Sequence, residues 1–162
     1  MGIRNIRKDD DPILRKKSRV VEKFDDRLFT LLDDMAETMY LADGVGLAAV
    51  QVGVLRRVVV IDVGDGIMEL INPEIVESKG AQCEEEGCLS LPGRNNITYR
   101  PMEVTVRAQN REGKWCLYKG DRLKARAFCH ELDHLDGVLF IDRLATKEQI
   151  EENPSEEAGE EQ

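Results

Sequence analysis

Only two histidines occur in the 162 residues, and they stand four apart, as His130-Glu131-Leu132-Asp133-His134, within a stretch whose apolar spacing is helical. This pattern constrains the fold more than any other. Residues at i and i+4 of a helix lie ~5–6 Å apart at Cβ on one side, so both imidazoles can reach a single metal ion. The helix is predicted to start near Asp121, after Gly120, and to stop at Gly137. Around its axis Leu123, Ala127, His130 and His134 share one face and Phe128, Leu132 and Leu135 the opposite one, with Arg126 and Asp133 between. Such a helix must be covered on two sides. Glu131 projects about a quarter-turn from the imidazoles. There it suits a general base acting on water at the ion better than a ligand. The competing reading, two histidines satisfied by ordinary hydrogen bonds, is weaker because imidazoles between apolar faces have few partners to choose from.

The rest of the chain supplies the cover. Asp11-Pro12 reads as an N-cap and first helical position. Leu28, Leu31, Leu32, Met35 and Met39 form one helical stripe, with Asp26 as its cap and Asp43-Gly44 as its stop. Residues 57–62 are too short and too β-branched for a helix and are predicted to form a buried strand. Strands are also predicted at 68–71, at 138–141, and at 103–108 and 114–118, the last two joined as a hairpin by Asn110-Arg111-Glu112-Gly113. Thr146 to Gln149 fits a capping box for one further helical turn. Helices and strands do not alternate regularly, so the fold class is α+β, with mixed or antiparallel sheets packed around the HExxH helix as its central, metal-binding element. One domain is expected over residues 1–150, followed by an acidic, disordered tail at 151–162.

Composition excludes several functions. No apolar stretch is long enough to span a bilayer, and charged residues make up 34% of the chain. The formal charge of −9 argues against direct nucleic-acid binding, although six of the 32 acidic residues fall in the last twelve positions and the body is nearly balanced. The start of the chain lacks the apolar core of a secretory signal, and Ile6 stands where a myristoylation signal needs Ser or Thr. Four cysteines in a chain without export features point to free thiols in a reducing cytoplasm.

A catalytic metal site of this kind needs a third protein ligand and one open position. A metzincin would place a third histidine where Phe140 stands, and Glu148, Glu151 and Glu152 lie where the chain turns acidic. Cysteine is the remaining soft donor. Cys88, in Glu86-Gly87-Cys88-Leu89-Ser90, has a glycine beside it that permits close backbone approach, whereas Cys83, Cys116 and Cys129 lack such a setting. A structural cysteine is the alternative. The small-residue segment at 44–51 lacks the residues of a phosphate loop. It reads either as a turn whose glycines take positive φ or as a closely packed wall in which Gln51 offers an amide donor.

Taken together, residues 44–51, 86–90 and 130–134 resemble the three signature motifs of the peptide deformylase family, and the similarity extends through Pro92-Gly93, Arg100-Pro101 and Gly137-Val138-Leu139-Phe140. The resemblance implies that Cys88, His130 and His134 bind one divalent metal, Fe(2+) natively with Zn(2+), Ni(2+) or Co(2+) as substitutes. It implies that Glu131 is general base and acid, and that Gln51 and the Leu89 N–H stabilise an oxyanion. Val45 and Gly46 would line the groove for an extended peptide, and Arg94, in a stretch that varies in the family, would contact the substrate carboxylate or backbone. The implied activity is removal of the formyl group from N-formylmethionyl peptides, with any encounter at the ribosome transient because the acidic tail is ill suited to RNA. Two other classes remain. An HExxH protease would need a downstream ligand that is missing, and a structural zinc module would close the site with a fourth side chain.

Overall fold

The computed structural model describes residues 2–157. Helix α1 (Asp26–Leu41) buries Leu28, Leu31, Leu32, Met35 and Met39, the predicted stripe. Its cap is Asp25 rather than Asp26, since the Asp25 carboxylate is the one that accepts from the Leu28 N–H. The opening turn is 3-10 rather than α, Pro12–Arg15, with Asp11 capping Ile13 as predicted.

The strands are β1 (Gly46–Ala48), β2 (Val58–Ile61), β3 (Met68–Lys79), β4 (Gln82–Cys88), β5 (Leu91–Arg100), β6 (Glu103–Gln109) and β7 (Trp115–Asp121). Five of them form an antiparallel sheet in the order β1-β2-β3-β6-β7, while β4 and β5 pair as a separate antiparallel ribbon. Helix α2 (Arg122–Leu135) carries the HExxH segment and α3 (Lys147–Glu152) follows it, capped by Thr146 and Gln149 in the predicted box. The fold is thus α+β with antiparallel sheets.

Strand β2 explains why residues 58–61 are uniformly apolar. Val59 and Ile61 pack in one cluster with Phe128, Leu132 and Leu135 of α2. Val58 and Val60 pack in another with the α1 stripe. Both faces of the strand are covered, so period 2 disappears from its hydropathy. The β6–β7 hairpin forms where predicted.

Other elements differ from expectation. The strand at 68–71 continues to Lys79, because past Ile71 it leaves β2 and pairs with β6 across two register shifts. Asn72, in the left-handed region, and Pro73 sit at the first of them, where the ladder is already interrupted. Residues 138–141 are not a strand. Phe140–Asp142 is a 3-10 turn in which Asp142 accepts from the Leu139 N–H, and Leu139 and Phe140 are buried with Leu14 and Leu91. The expected tail starts as structure: α3 reaches Glu152, and Ser155 and Glu156 both donate to the Glu84 carboxylate. The remaining tail residues, 158–162, lie outside the described residues. Among the described residues no helix is long and apolar enough to cross a membrane.

Helix α2 ends at Leu135 with Asp136 as its cap, and the next residue, Gly137, has a φ of +74° that favours glycine. The site is also crowded, since a Cβ there would lie 2.4 Å from the Arg15 carbonyl oxygen. Gly137→Ala is therefore expected to cost about 1–3 kcal/mol. At about 2–4 °C per kcal/mol for a chain of this size, a thermal melt by circular dichroism should show a drop of several degrees. A melting temperature equal to wild type would mean that the crossing of residue 15 over the helix end yields easily.

Candidate metal centre and active site

Cys88 is the last residue of β4 and pairs with Leu91 across the two-residue turn Leu89-Ser90. A register shift between Glu86 and Cys88 re-aims the strand end, and Sγ comes to 3.4 Å from His134 Nε2. The donor atoms of Cys88, His130 and His134 all lie within 4.8 Å of one another. No fourth His, Cys, Asp or Glu joins this group among the described residues. One soft thiol and two imidazoles at that spacing fit a three-ligand divalent site better than a closed four-ligand one. All four cysteines are free, and burial pushes the Cys129 thiol up to about 11, which leaves it inert beside His130.

His130 is held from behind. Its Nδ1 lies 2.8 Å from Glu86 Oε1. Arg100 grips the same carboxylate with Nε and Nη2 at 2.9 and 3.0 Å, and the Thr98 hydroxyl donates to it. Arg100 Nη1 also donates to Asp133 at 2.7 Å, and Arg143 donates to Asp133 from the other side. Burial works to raise the Glu86 pKa, but the His130 and Arg100 hydrogen bonds outweigh it and hold the carboxyl at about 2. An ionised Glu86 accepts the Nδ1 proton and leaves the Nε2 lone pair free for an ion. Neither Glu86 nor Arg100 stands out as a support from residue spacing along the chain. The available signal was two acids, Glu84 and Glu86, at period 2 on a strand facing Thr98 and Arg100.

Glu131 is buried, its Oε2 4.0 Å from His130 Nε2 and its Oε1 without a hydrogen-bond partner among the described residues. Burial pushes its pKa up to about 7, against the pull of His130. Gly46 explains how the carboxylate fits: a Cβ at that position would lie 2.5 Å from Glu131 Oε2. Neither Gly44 nor Gly46 has positive φ, which belongs instead to Asp43 and Gly53. Of the two readings of this segment the closely packed wall fits: its glycines serve close approach, and its backbone is β1 followed by a 3-10 turn, Ala49–Val52. Gln51 is buried there. Its Oε1 accepts from the Ala48 N–H at 2.9 Å, which turns Nε2 toward Ser90 Oγ at 3.1 Å and Cys88 Sγ at 3.7 Å.

A cavity of ≈ 330 Å³ opens over these groups. Val45, Gly46, Gln51, Cys88, Leu89, His130 and Glu131 line it, together with Leu123, Arg126 and Ala127 from α2. Arg94 is exposed on β5 and is not among the lining residues. Arg126, placed between faces by its helical angle, proves to be buried and part of the wall.

Comparison with known proteins agrees with this geometry. Residues 3–150 match the family model described as polypeptide deformylase. A peptide deformylase of Alkaliphilus metalliredigens is 63% identical over 144 residues, covering 89% of this chain and 98% of that protein. One of Acetivibrio thermocellus is 62% identical, covering 89% and 85%. The crystal structure of the Thermotoga maritima peptide deformylase superposes with a TM-score of 0.88 at 44% identity, over 90% of this chain and all of that one. The chain belongs to the polypeptide deformylase family.

Proposed function

We propose that this chain is a metal-dependent amide hydrolase that removes the N-terminal formyl group from N-formylmethionyl polypeptides and releases formate. The observation that carries the reading is the convergence of Cys88, His130 and His134 beside a buried Glu131, in a chain of the deformylase family. The HExxH helix is the central, metal-holding element, and residues 1–150 form the catalytic domain, in keeping with a family match that ends at residue 150; residues 151–162 are an acidic appendage. Work on nascent peptides places the protein in the cytoplasm, where any meeting with the ribosome is transient and involves no direct nucleic-acid binding.

Cys88, His130 and His134 would hold a divalent cation, Fe(2+) natively with Zn(2+), Ni(2+) or Co(2+) as substitutes, which would supply Lewis acidity and make a water in the cavity easier to deprotonate. Glu131, pushed up to about 7 by burial, takes a proton from the water that attacks the formyl carbon. The carbonyl oxygen gains charge, and the Gln51 Nε2–H and the Leu89 backbone N–H donate to it. Gln51 is suited to this because its own oxygen is already engaged by Ala48. Glu131 then delivers its proton to the departing amine. The substrate main chain lies extended against Val45 and Gly46. Arg94 meets it only beyond the cavity, in keeping with its exposed position.

Glu131→Ala is expected to lower formate release from formyl-Met-Ala by about 10²–10⁴ without lowering metal content by elemental analysis. Acetyl-Met-Ala serves as the comparison substrate. Cleavage inside a blocked peptide without formate would favour a protease instead. Gly46→Ala should also reduce turnover, because the added methyl displaces the Glu131 carboxylate, while leaving metal content at wild-type level; full activity would show that Glu131 acts from another position. Glu86→Gln removes the charge that fixes His130, and metal affinity or turnover should fall about 10–100-fold. Chelation should abolish activity and lower the melting temperature, since the folded state binds the ion and the unfolded chain does so poorly. Anaerobic Fe(2+) should restore both, and activity that survives complete metal removal would overturn the assignment.

A further inference from the structure

Arg126 is a cation in the cavity wall that the reaction above does not use. Its side chain is 5% exposed. Nη1 donates to Gln82 Oε1 at 2.8 Å, and the Gln82 amide is itself fixed by donating to the Pro101 and Arg122 carbonyls at 2.9 and 3.0 Å. A buried guanidinium with only neutral partners is costly. Among the described residues its one ion pair is with Glu157, whose carboxylate meets Nη2 at 2.5 Å. The cavity's other acids do not fill that role. Glu86 is committed to Arg100 and His130, and neither Asp43, Glu85 nor Glu131 pairs with Arg126.

Glu157 reaches this point because the segment after α3 is tied down along β4 and the start of α2. The Cys83 thiol meets the Gln149 carbonyl, Glu84 accepts from the Ser155 hydroxyl and, at 3.0 Å, from the Glu156 N–H, and Arg122 pairs with the Glu156 carboxylate at 3.1 Å. Glu84 is 5% exposed, so a buried carboxylate spends its hydrogen bonds on holding this segment. The strap therefore places one negative charge against Arg126, which among the described residues is the buried Arg or Lys of the cavity wall.

We propose that Arg126 is a specificity-determining residue and that Glu157, delivered by the C-terminal strap, sets the charge the cavity presents to the peptide after the formylated methionine. With Glu157 in place the Arg126 charge is offset, and peptides with acidic and basic side chains are handled alike at this point of the wall. Without it the guanidinium draws an anionic side chain from the substrate. This rests on the deformylase reading, since only there does a peptide occupy the cavity.

The test measures kcat/KM for formate release from amidated formyl-Met-X-Ala and formyl-Met-Ala-X peptides, with X as Asp or Lys, using the metal-loaded full-length protein. Glu157→Gln should raise the Asp-to-Lys ratio by on the order of tenfold for at least one of the two positions, mainly through KM, and Glu157→Lys should raise it further. Glu156→Gln, which alters the same strap at its exposed pair with Arg122, should leave the ratio unchanged. In an Arg126→Gln background the Glu157→Gln change should no longer move the ratio. An unchanged ratio in both Glu157 variants, an equal shift in Glu156→Gln, or a shift that survives in the double variant would each overturn the proposal. A wild-type protein that releases no formate from any of these peptides would instead remove the deformylase reading itself.

Discussion

The buried carboxylate of Glu86 ties the molecule together at its site. The β4–β5 ribbon does not belong to the five-stranded sheet, so its position depends on side chains and on a few backbone bonds to residues 143–145 rather than on a continuous ladder. Arg100 on β5 bonds to Glu86 on β4 and to Asp133 on α2, and Glu86 bonds to His130 on α2. These bonds link ribbon and helix through full charges removed from water, where a missing partner would be far more costly than on the surface. Cys88 lies two residues beyond Glu86 on the same strand. Fixing Glu86 against the helix thus also sets where the thiol stands relative to the two imidazoles.

How much of the fold could be read in the residues follows from what fills each interior. Where burial is apolar, the pattern is legible: the α1 stripe, the all-buried β2 and the α2 face carrying Phe128, Leu132 and Leu135 stand where hydrophobic spacing put them. Strands β4 and β5 escaped notice because their inward positions include Glu84, Glu86, Thr98 and Arg100, which any hydropathy rule assigns to solvent. Their alternation is real but written in polar atoms that satisfy one another. The far half of β3 was hidden for a related reason, since Asn72 and Pro73 look like a stop and instead mark the change of partner from β2 to β6. At residues 138–141 a short apolar run has no period to separate strand from 3-10 turn.

The candidate site was more legible than the fold around it. His130 and His134 are set by helical arithmetic alone, and Gln51 and Cys88 stand out by their glycine-rich neighbours. What spacing could not provide was the supporting layer. Nothing along the chain joins position 86 to 100, or 126 to 157, until the strands and the tail are in place. Gly46 shows the same limit in reverse: its glycine was visible, but the reason, a carboxylate 85 positions later packed against its Cα, exists only in three dimensions.

These supports also bear on why so many charges are buried in a chain of this size. A core of matched apolar side chains in place of Glu86, Arg100 and Asp133 could equal or exceed the network in stability, because desolvating three charges offsets much of their mutual attraction. Such a core could not choose a tautomer for His130, nor hold a ring nitrogen toward the cavity. The network's benefit therefore lies in orientation rather than in folding free energy. The same reasoning extends to Arg126, since an apolar residue there would pack against Leu123 and Ala127 without needing either Gln82 or a returning tail. A buried guanidinium whose counter-charge must be carried back by the end of the chain is intelligible where its charge is set against what enters the cavity.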